Sequence, residues 1–296
     1  MSFLVDLSNE LANAVERAGT SVIAVEEGGR EGVSGTIWRE GFAVTAEHTI
    51  RGRESVTVKL PSGERESASV IARDSGTDLA LLKISSSHAP IPLADDSRSR
   101  VGEIVLSIGR KAEGLAASYG IISSIGGQWR TWSGARIDRW LRLDLAPFPG
   151  FSGGPVVTAE GKAVGVATSG PRGSAVTIPA STLNRVIDQL ISKGRVARGY
   201  LGIGVQPIAF PDETASRIGS ERGLLVILVE PNGPAANAGI VLGDILVRVA
   251  GNDLRSARSL QPALDDETIG KPVKVDLVRG GQVTHLEVTI AEKPQR

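Results

Sequence analysis

The chain has no cysteine, so disulfides and thiolate metal sites are excluded. It has three histidines, His48, His88 and His285, far apart in sequence and outside any HExxH pattern. A metal centre built on histidines is therefore not expected, and neither is a cofactor. An excess of charge is also missing: 33 basic residues balance 33 acidic ones. A nucleic-acid partner, which calls for a basic face, is not expected. Long hydrophobic runs are absent as well. The stretch Leu224–Val229 is among the longest, and a membrane-spanning helix needs about 20 apolar residues. Met1–Leu7 carries no basic leader, so no secretory signal is read there. That points to the cytoplasm for the chain as it stands, or to an extracytoplasmic site if a leader has been removed.

What is abundant is glycine, with 36 residues, together with valine and isoleucine. This is the composition of a turn-rich, mainly β protein, and 296 residues suffice for two domains. Ser8–Arg17 has Leu11, Ala14 and Val15 at helical spacing and reads as a short N-terminal helix. From Val22 the period changes. Val22–Val25, Gly35–Trp38, Phe42–Thr45, Val56–Leu60, Ala68–Ala72, Leu79–Ile84, Ile104–Ile108, Gly120–Ser123, Trp140–Leu143, Val156–Val157 and Ala163–Ala167 are short strand candidates between turns. Such even spacing indicates a sandwich or barrel rather than βαβ units. Ser181–Lys193 is an amphipathic helix that starts after Pro179 and stops at Gly194. The basic stretch Lys193–Arg198 reads as a linker, which divides the chain into domains 1–195 and 196–296.

One heptapeptide stands out, Pro149-Gly-Phe-Ser-Gly-Gly-Pro155. Prolines at both ends and three glycines exclude regular structure. A tight turn that presents amides beside the Ser152 hydroxyl is what a nucleophile with an oxyanion hole requires. The same pattern also suits an ordinary loop between strands. A nucleophilic serine needs a base and an acid that orients it. His285 falls in an alternating strand of the second unit and His88 in a surface loop, which leaves His48, just after the strand Phe42–Thr45. Among the acids, Asp78 heads the strand Leu79–Leu82; Asp74 and Asp144 are weaker rivals. Gly150–Gly154 also fits the G-x-S-x-G elbow of α/β-hydrolases, but there the serine opens a helix and the acid and histidine follow it. The order here is histidine, aspartate, serine.

The four segments "VTAEHTI", "DSGTDLALLKI", "PGFSGGPVVTAEGKAVGV" and "ISKGRVARGYLGIGVQ", in this order and spacing, resemble the HtrA family of serine proteases, over about residues 7–293. The resemblance implies a chymotrypsin-like double six-stranded β-barrel followed by a PDZ domain, a partly open β-barrel with helices. It implies His48, Asp78 and Ser152 as triad, the Gly150 and Ser152 amides as oxyanion hole, and no cofactor. It also implies a primary specificity pocket at Ala146, Ala167, Thr168 and Ser169, which holds no carboxylate and so suits small or medium aliphatic residues. In the PDZ domain, Tyr200, Leu201, Gly202 and Ile203 would be the carboxylate-binding loop, and Ser259–Leu264 the groove helix with Leu260 and Leu264 as contacts. The other reading of that helix is plain core packing.

The function implied is a quality-control endopeptidase that cleaves unfolded or exposed segments and binds peptide C-termini, with a homotrimer formed through Phe3 and Leu4. Two departures from the family pattern bear on this. Phe151 stands where the family carries asparagine, and Leu145-Ala-Pro-Phe-Pro149 brings added prolines. They motivate an alternative, a weak or inactive protease fold that works as a PDZ peptide-binding or chaperone module.

Overall fold

The fold was obtained as a computed structural model. It describes residues 2–27, 30–85, 87–111, 114–131, 133–146, 148–169 and 175–294. The chain falls into two compact units, Met1–Arg195 and Val196–Arg296.

In the first unit, α1 (Phe3–Gly19) precedes six strands: β1 (Val22–Glu27), β2 (Arg30–Arg39), β3 (Phe42–Ala46), β4 (Ser55–Lys59), β5 (Arg65–Asp74) and β6 (Leu79–Lys83). They close into an antiparallel barrel in the order β1-β2-β3-β6-β5-β4. Strand alternation sends Ile23, Val25, Ile37, Ala43, Val56, Val58, Ala80 and Leu82 inward, and these fill its core. The helix α1 begins well before Ser8, because the apolar Phe3 and Leu4 continue it. They bury little there, at 78% and 71% exposed.

The second barrel takes β7 (Ile104–Lys111), β8 (Gly114–Gly126), β11 (Trp140–Asp144), β12 (Pro155–Thr158), β13 (Ala163–Ser169) and β14 (Ala175–Pro179) in the order β11-β14-β13-β12-β7-β8. Between β8 and β11 lies a small hairpin of β9 (Trp129–Arg130) and β10 (Arg136–Ile137), absent from the sequence reading. α2 (Ala180–Lys193) buries Leu183, Val186, Ile187 and Leu190 and ends on Gly194 at φ +69°, a left-handed C-cap that glycine adopts without strain.

The second unit opens with β15 (Gly199–Tyr200), which pairs with the last strand, β22 (Ala291–Glu292). Its main sheet runs β16 (Ile203–Ala209), β17 (Arg222–Val229), β18 (Ile245–Val249), β20 (Pro272–Arg279) and β21 (Gln282–Thr289), with β19 (Asn252–Asp253) beside β18. Two short helices, α3 (Asp212–Ile218) and α4 (Pro234–Asn237), fill the connections. The architecture is mainly β, as the sequence pattern predicts, and its two closed six-stranded barrels before the smaller sheet are those that the family resemblance implies. Among the described residues no helix is long and apolar enough to cross a membrane.

Candidate active site

The first barrel brings His48 and Asp78 together through its register. β3 and β6 pair antiparallel with Ala46 opposite Leu79, so the residues just beyond each end meet. His48 sits on a single 3-10 turn, Glu47–Thr49, and the Glu47 amide donates to the Asp78 carbonyl at 3.1 Å. Asp78 takes φ +58°, a conformation costly for a residue with a side chain and one that needs surrounding contacts to hold it. Asp74 supplies some of them: its buried carboxylate accepts the amides of Gly76 and Thr77 and the Thr77 hydroxyl. That occupies Asp74 with the turn and leaves Asp78 facing the histidine.

The Asp78 carboxylate accepts three donors. The His48 amide reaches Oδ1 at 2.9 Å, the His48 ring Nδ1 reaches Oδ2 at 2.7 Å, and the Thr168 hydroxyl reaches Oδ2 at 2.5 Å. Burial opposes ionisation of Asp78, and hydrogen bonds from the His48 ring, the Thr168 hydroxyl and the His48 amide more than offset it, so its pKa lies below the usual carboxylate value. The same bond raises the His48 pKa above 6.5, with burial acting in the opposite sense.

Ser152 lies in a pair of consecutive β-turns between β11 and β12. Phe151 N–H donates to the Phe148 carbonyl, and Gly154 N–H to the Phe151 carbonyl. In the first turn proline precedes Gly150 at φ +86°, and in the second Ser152 precedes Gly153 at φ +86°, the type II signature in both. Space forbids other residues: a Cβ on Gly153 would stand 2.1 Å from the Ser34 carbonyl oxygen, and one on Gly154 2.0 Å from that of Ile108. Strand β2 of the first barrel grips this turn. The buried Ser34 hydroxyl donates to the Gly150 carbonyl at 2.7 Å, its amide donates to the Ser152 carbonyl at 3.2 Å, and the Thr36 hydroxyl donates to the Gly153 carbonyl at 2.9 Å. The amides of Phe151 and Gly154 are consumed within the turns and that of Gly153 by the Ala167 carbonyl, whereas those of Gly150 and Ser152 have no acceptor among the described residues. Two free amides flanking one hydroxyl make a site for a developing oxyanion.

The Ser152 hydroxyl itself is within 3.5 Å of the Ser169 hydroxyl, the outer limit of a hydrogen bond. No hydrogen bond joins it to His48 among the described residues. Phe151 turns inward and packs in the second barrel with Leu143, Val156, Ala167 and Ala175, edge-on to Phe148 at 6.1 Å between ring centroids. Pro147 lies outside the described residues.

Residues 33–166 match the trypsin-like peptidase domain family, and residues 199–290 match the PDZ domain family. A solved serine endoprotease from Yersinia pestis is 30% identical, superposes with a TM-score of 0.73, and the match covers 96% of this chain and 98% of that one. The chain belongs to the HtrA family of serine proteases. A second HtrA-type structure, the protease AlgW with decapeptide, is 26% identical with a TM-score of 0.75, over 97% of this chain and 99% of the other. Among relatives known by sequence, the probable periplasmic serine endoprotease DegP-like of Brucella suis is 32% identical over 89% of this chain and 53% of its own length. The protein of that name from Bartonella henselae is 34% identical over 86% and 52%. This HtrA chain thus spans about half the length of those two relatives.

The remaining candidate residues fall in different places. Thr168 and Ser169 stand at the cluster, one bonded to Asp78 and the other beside Ser152. Ala167 is fully buried in the barrel core, because alternation along β13 turns it inward when Thr168 faces out, and Ala146 is exposed. In the PDZ domain, Gly202 takes φ +76° between β15 and β16, and the Leu201 and Gly202 carbonyls accept the amides of Ala235 and Glu230. Leu201 is buried in the core, so its side chain anchors the loop. The predicted groove helix is a 3-10 helix, Ala257–Leu264, interrupted by Pro262 and capped by Ser256. Leu260 belongs to the core and Leu264 packs at its margin. His285 pairs with Asp276 across β20 and β21 at 2.7 Å, remote in sequence from the Ser152 turn.

Proposed function

We propose that this HtrA chain is a serine endopeptidase acting through an acyl-enzyme on unfolded or exposed polypeptide segments. The observation that carries the proposal is the coincidence, on one unit, of an Asp78-bound imidazole and a serine turn with two unengaged amides. Ser152 Oγ attacks the scissile carbonyl, His48 Nε2 takes its proton, and Asp78 fixes the proton on Nδ1 and stabilises the imidazolium. The Gly150 and Ser152 amides hold the oxyanion, and His48 then passes its proton to the leaving amine. Labelling with a fluorophosphonate probe tests this: the native chain reacts and Ser152→Ala does not. A native chain that stays unlabelled would support instead a peptide-binding fold without chemistry, a reading favoured by the Ser152 hydroxyl resting on Ser169.

The pH dependence follows from His48. The base must be neutral, so kcat/KM rises with pH through a midpoint above 6.5, because Asp78 stabilises the protonated ring. The corresponding stability has the opposite trend. A pKa raised on folding contributes stability that is full below the unfolded value and lost as pH rises through the folded one. A pH-independent kcat/KM from pH 5 to 9 would remove His48 from the mechanism.

The specificity-pocket candidates Ala146, Ala167, Thr168 and Ser169 include no carboxylate. We assign to them a primary preference for small uncharged residues. Peptides with alanine or valine before the scissile bond are cut faster than those with arginine or lysine there; the reverse order refutes the assignment.

The PDZ domain is proposed to take peptide C-termini. Among the described residues β16 pairs only with β17 and is an edge onto which a peptide strand can add, with the Tyr200–Ile203 loop at its start. Amidating the C-terminus of a bound peptide is expected to weaken binding at least tenfold by titration calorimetry, since a charged hydrogen-bonding partner is lost.

A further inference from the structure

Ser34 stands on β2 of the first barrel with no exposed surface, and each polar group it carries is engaged. Its amide donates to the Ser152 carbonyl at 3.2 Å, and its hydroxyl donates to the Gly150 carbonyl at 2.7 Å. Its carbonyl accepts the Thr45 hydroxyl at 2.7 Å, and its hydroxyl oxygen accepts the Arg110 amide at 3.1 Å. The last contact sets the direction of the hydroxyl. A backbone amide can only donate, so the Arg110 N–H occupies a lone pair of the Ser34 oxygen and leaves the hydroxyl hydrogen for Gly150. Gly109 makes the room for it: a Cβ there would lie 2.6 Å from Ser34 Oγ.

Within residues 150–154 the two carbonyls that Ser34 holds belong to Gly150 and Ser152, the two residues whose amides have no acceptor among the described residues. The peptide unit 150–151 is thereby held at both ends, by Ser34 at its carbonyl and by the Phe148 carbonyl at its N–H. Unit 152–153 is held likewise by Ser34 and by the Ala167 carbonyl. Neighbouring planar units are separated by only two soft dihedrals. The free Gly150 amide is therefore one residue away from a clamped unit, and that residue is a glycine, which by itself restrains neither angle. The clamp supplies the restraint that the side chain cannot. It also spans the two barrels. Thr45 lies in β3, three positions before His48, and Arg110 lies in β7. Ser34 thus joins the strand that leads to the base with the turn that carries the nucleophile.

We propose that Ser34 is a positioning residue for the oxyanion pair: its hydroxyl, oriented by the Arg110 amide, holds the Gly150 peptide so that the Gly150 N–H faces the substrate oxygen. This role rests on the oxyanion assignment above and adds to it a group that does not touch substrate. The contribution of Ser34 therefore appears when charge develops on that oxygen, and not in substrate binding.

The test compares Ser34→Ala with Thr36→Val. Each deletes one buried β2 hydroxyl that bonds the turn, at 2.7 and 2.9 Å, but Thr36 holds Gly153, whose amide is already engaged. In Ser34→Ala, kcat per active site, counted by exhaustive fluorophosphonate labelling, is expected to fall about 10- to 100-fold with KM within about twofold. That is less than the roughly 10²–10³ lost when an oxyanion donor is deleted outright. A peptide trifluoromethyl ketone reads the same interaction at equilibrium. Ser152 Oγ adds to its carbonyl carbon, the π pair becomes the oxyanion and the proton passes to His48, so its Ki rises by the factor lost in kcat/KM. Thr36→Val loses a smaller factor in kcat for a comparable fall in Tm. Ser34→Cys fills the site with a weaker donor and carries the test if alanine there prevents folding; its kcat is expected below about one fifth of native. Native kcat in Ser34→Cys overturns the proposal. So do equal losses in Ser34→Ala and Thr36→Val, or a loss that vanishes once active sites are counted, because Ser34 then serves the fold alone. A labelled native chain whose Ser34→Ala variant keeps native kcat refutes the positioning role alone, and an unlabelled native chain refutes the proteolytic reading with it.

Discussion

Replacing Ser152 with alanine is expected to lower kcat on an unfolded substrate such as casein by about six orders of magnitude, the loss seen when a serine–histidine–aspartate constellation loses its nucleophile. The reason is that no nearby group can take over. The hydroxyl that Ser152 touches belongs to Ser169, which has no hydrogen bond to His48 among the described residues. What remains in the variant is the pair of free amides at Gly150 and Ser152, which still stabilise a tetrahedral oxyanion formed by water. That residue of catalysis, about 10³–10⁴ over the uncatalysed reaction, is the floor. The double variant with His48→Ala should reach the same floor, because base and nucleophile act as one unit and their losses do not add. Casein degraded at the native rate by Ser152→Ala would transfer the chemistry to another residue. The fold should be unaffected, since the turn is held by the backbone of residues 150–154 and by Ser34 and Thr36, not by the serine hydroxyl.

The His48–Asp78 pair was legible in the sequence for a physical reason. Each residue adjoins the end of a strongly apolar strand, and two such strands paired antiparallel bring their flanks together. The glycines of the 149–155 stretch were legible for a similar reason, since two positive φ angles and two close backbone approaches leave no alternative residue. Features set by register across distant strands were not. Thr168 meets Asp78, 90 positions away, only because β13 faces it outward, a fact that depends on where β13 starts. Ser34 reaches Gly150 across 116 positions and stands just before the strand candidate Gly35–Trp38, where nothing in the sequence marks it. The β9–β10 hairpin escaped because each strand is two residues long, too short to show a period. Phe151 shows the limit from another side. In sequence it is a departure from the family pattern beside the nucleophile; in the structure its ring leaves the turn and packs in the barrel core.

The second large effect concerns the proton that Asp78 places on the imidazole. In Asp78→Asn one carboxylate oxygen becomes an NH₂ donor, and the three groups around it decide which. The position of Oδ1 faces the backbone amide of His48, which can only donate. The position of Oδ2 faces the Thr168 hydroxyl, which can rotate and accept, and His48 Nδ1, which can accept if the ring shifts its proton to Nε2. The amide therefore settles with its oxygen on the backbone N–H and its nitrogen toward the ring. This orientation keeps the His48 amide bonded, turns the Thr168 hydroxyl from donor to acceptor at this position, and pins the wrong tautomer: Nε2 now carries a hydrogen and cannot take the Ser152 proton. In chymotrypsin-type triads this exchange costs about 10⁴-fold in kcat, and the same is expected here. Two further readouts separate tautomer from mere weakening. The ¹⁵N shifts of His48 in the neutral protein should report protonation at Nε2 instead of Nδ1. The His48 pKa should also fall, since the charge and hydrogen bond that raise it are gone, which moves the rising limb of any residual activity to lower pH. An Asp78→Asn protein with native kcat would mean that Asp78 holds the loop and not the proton.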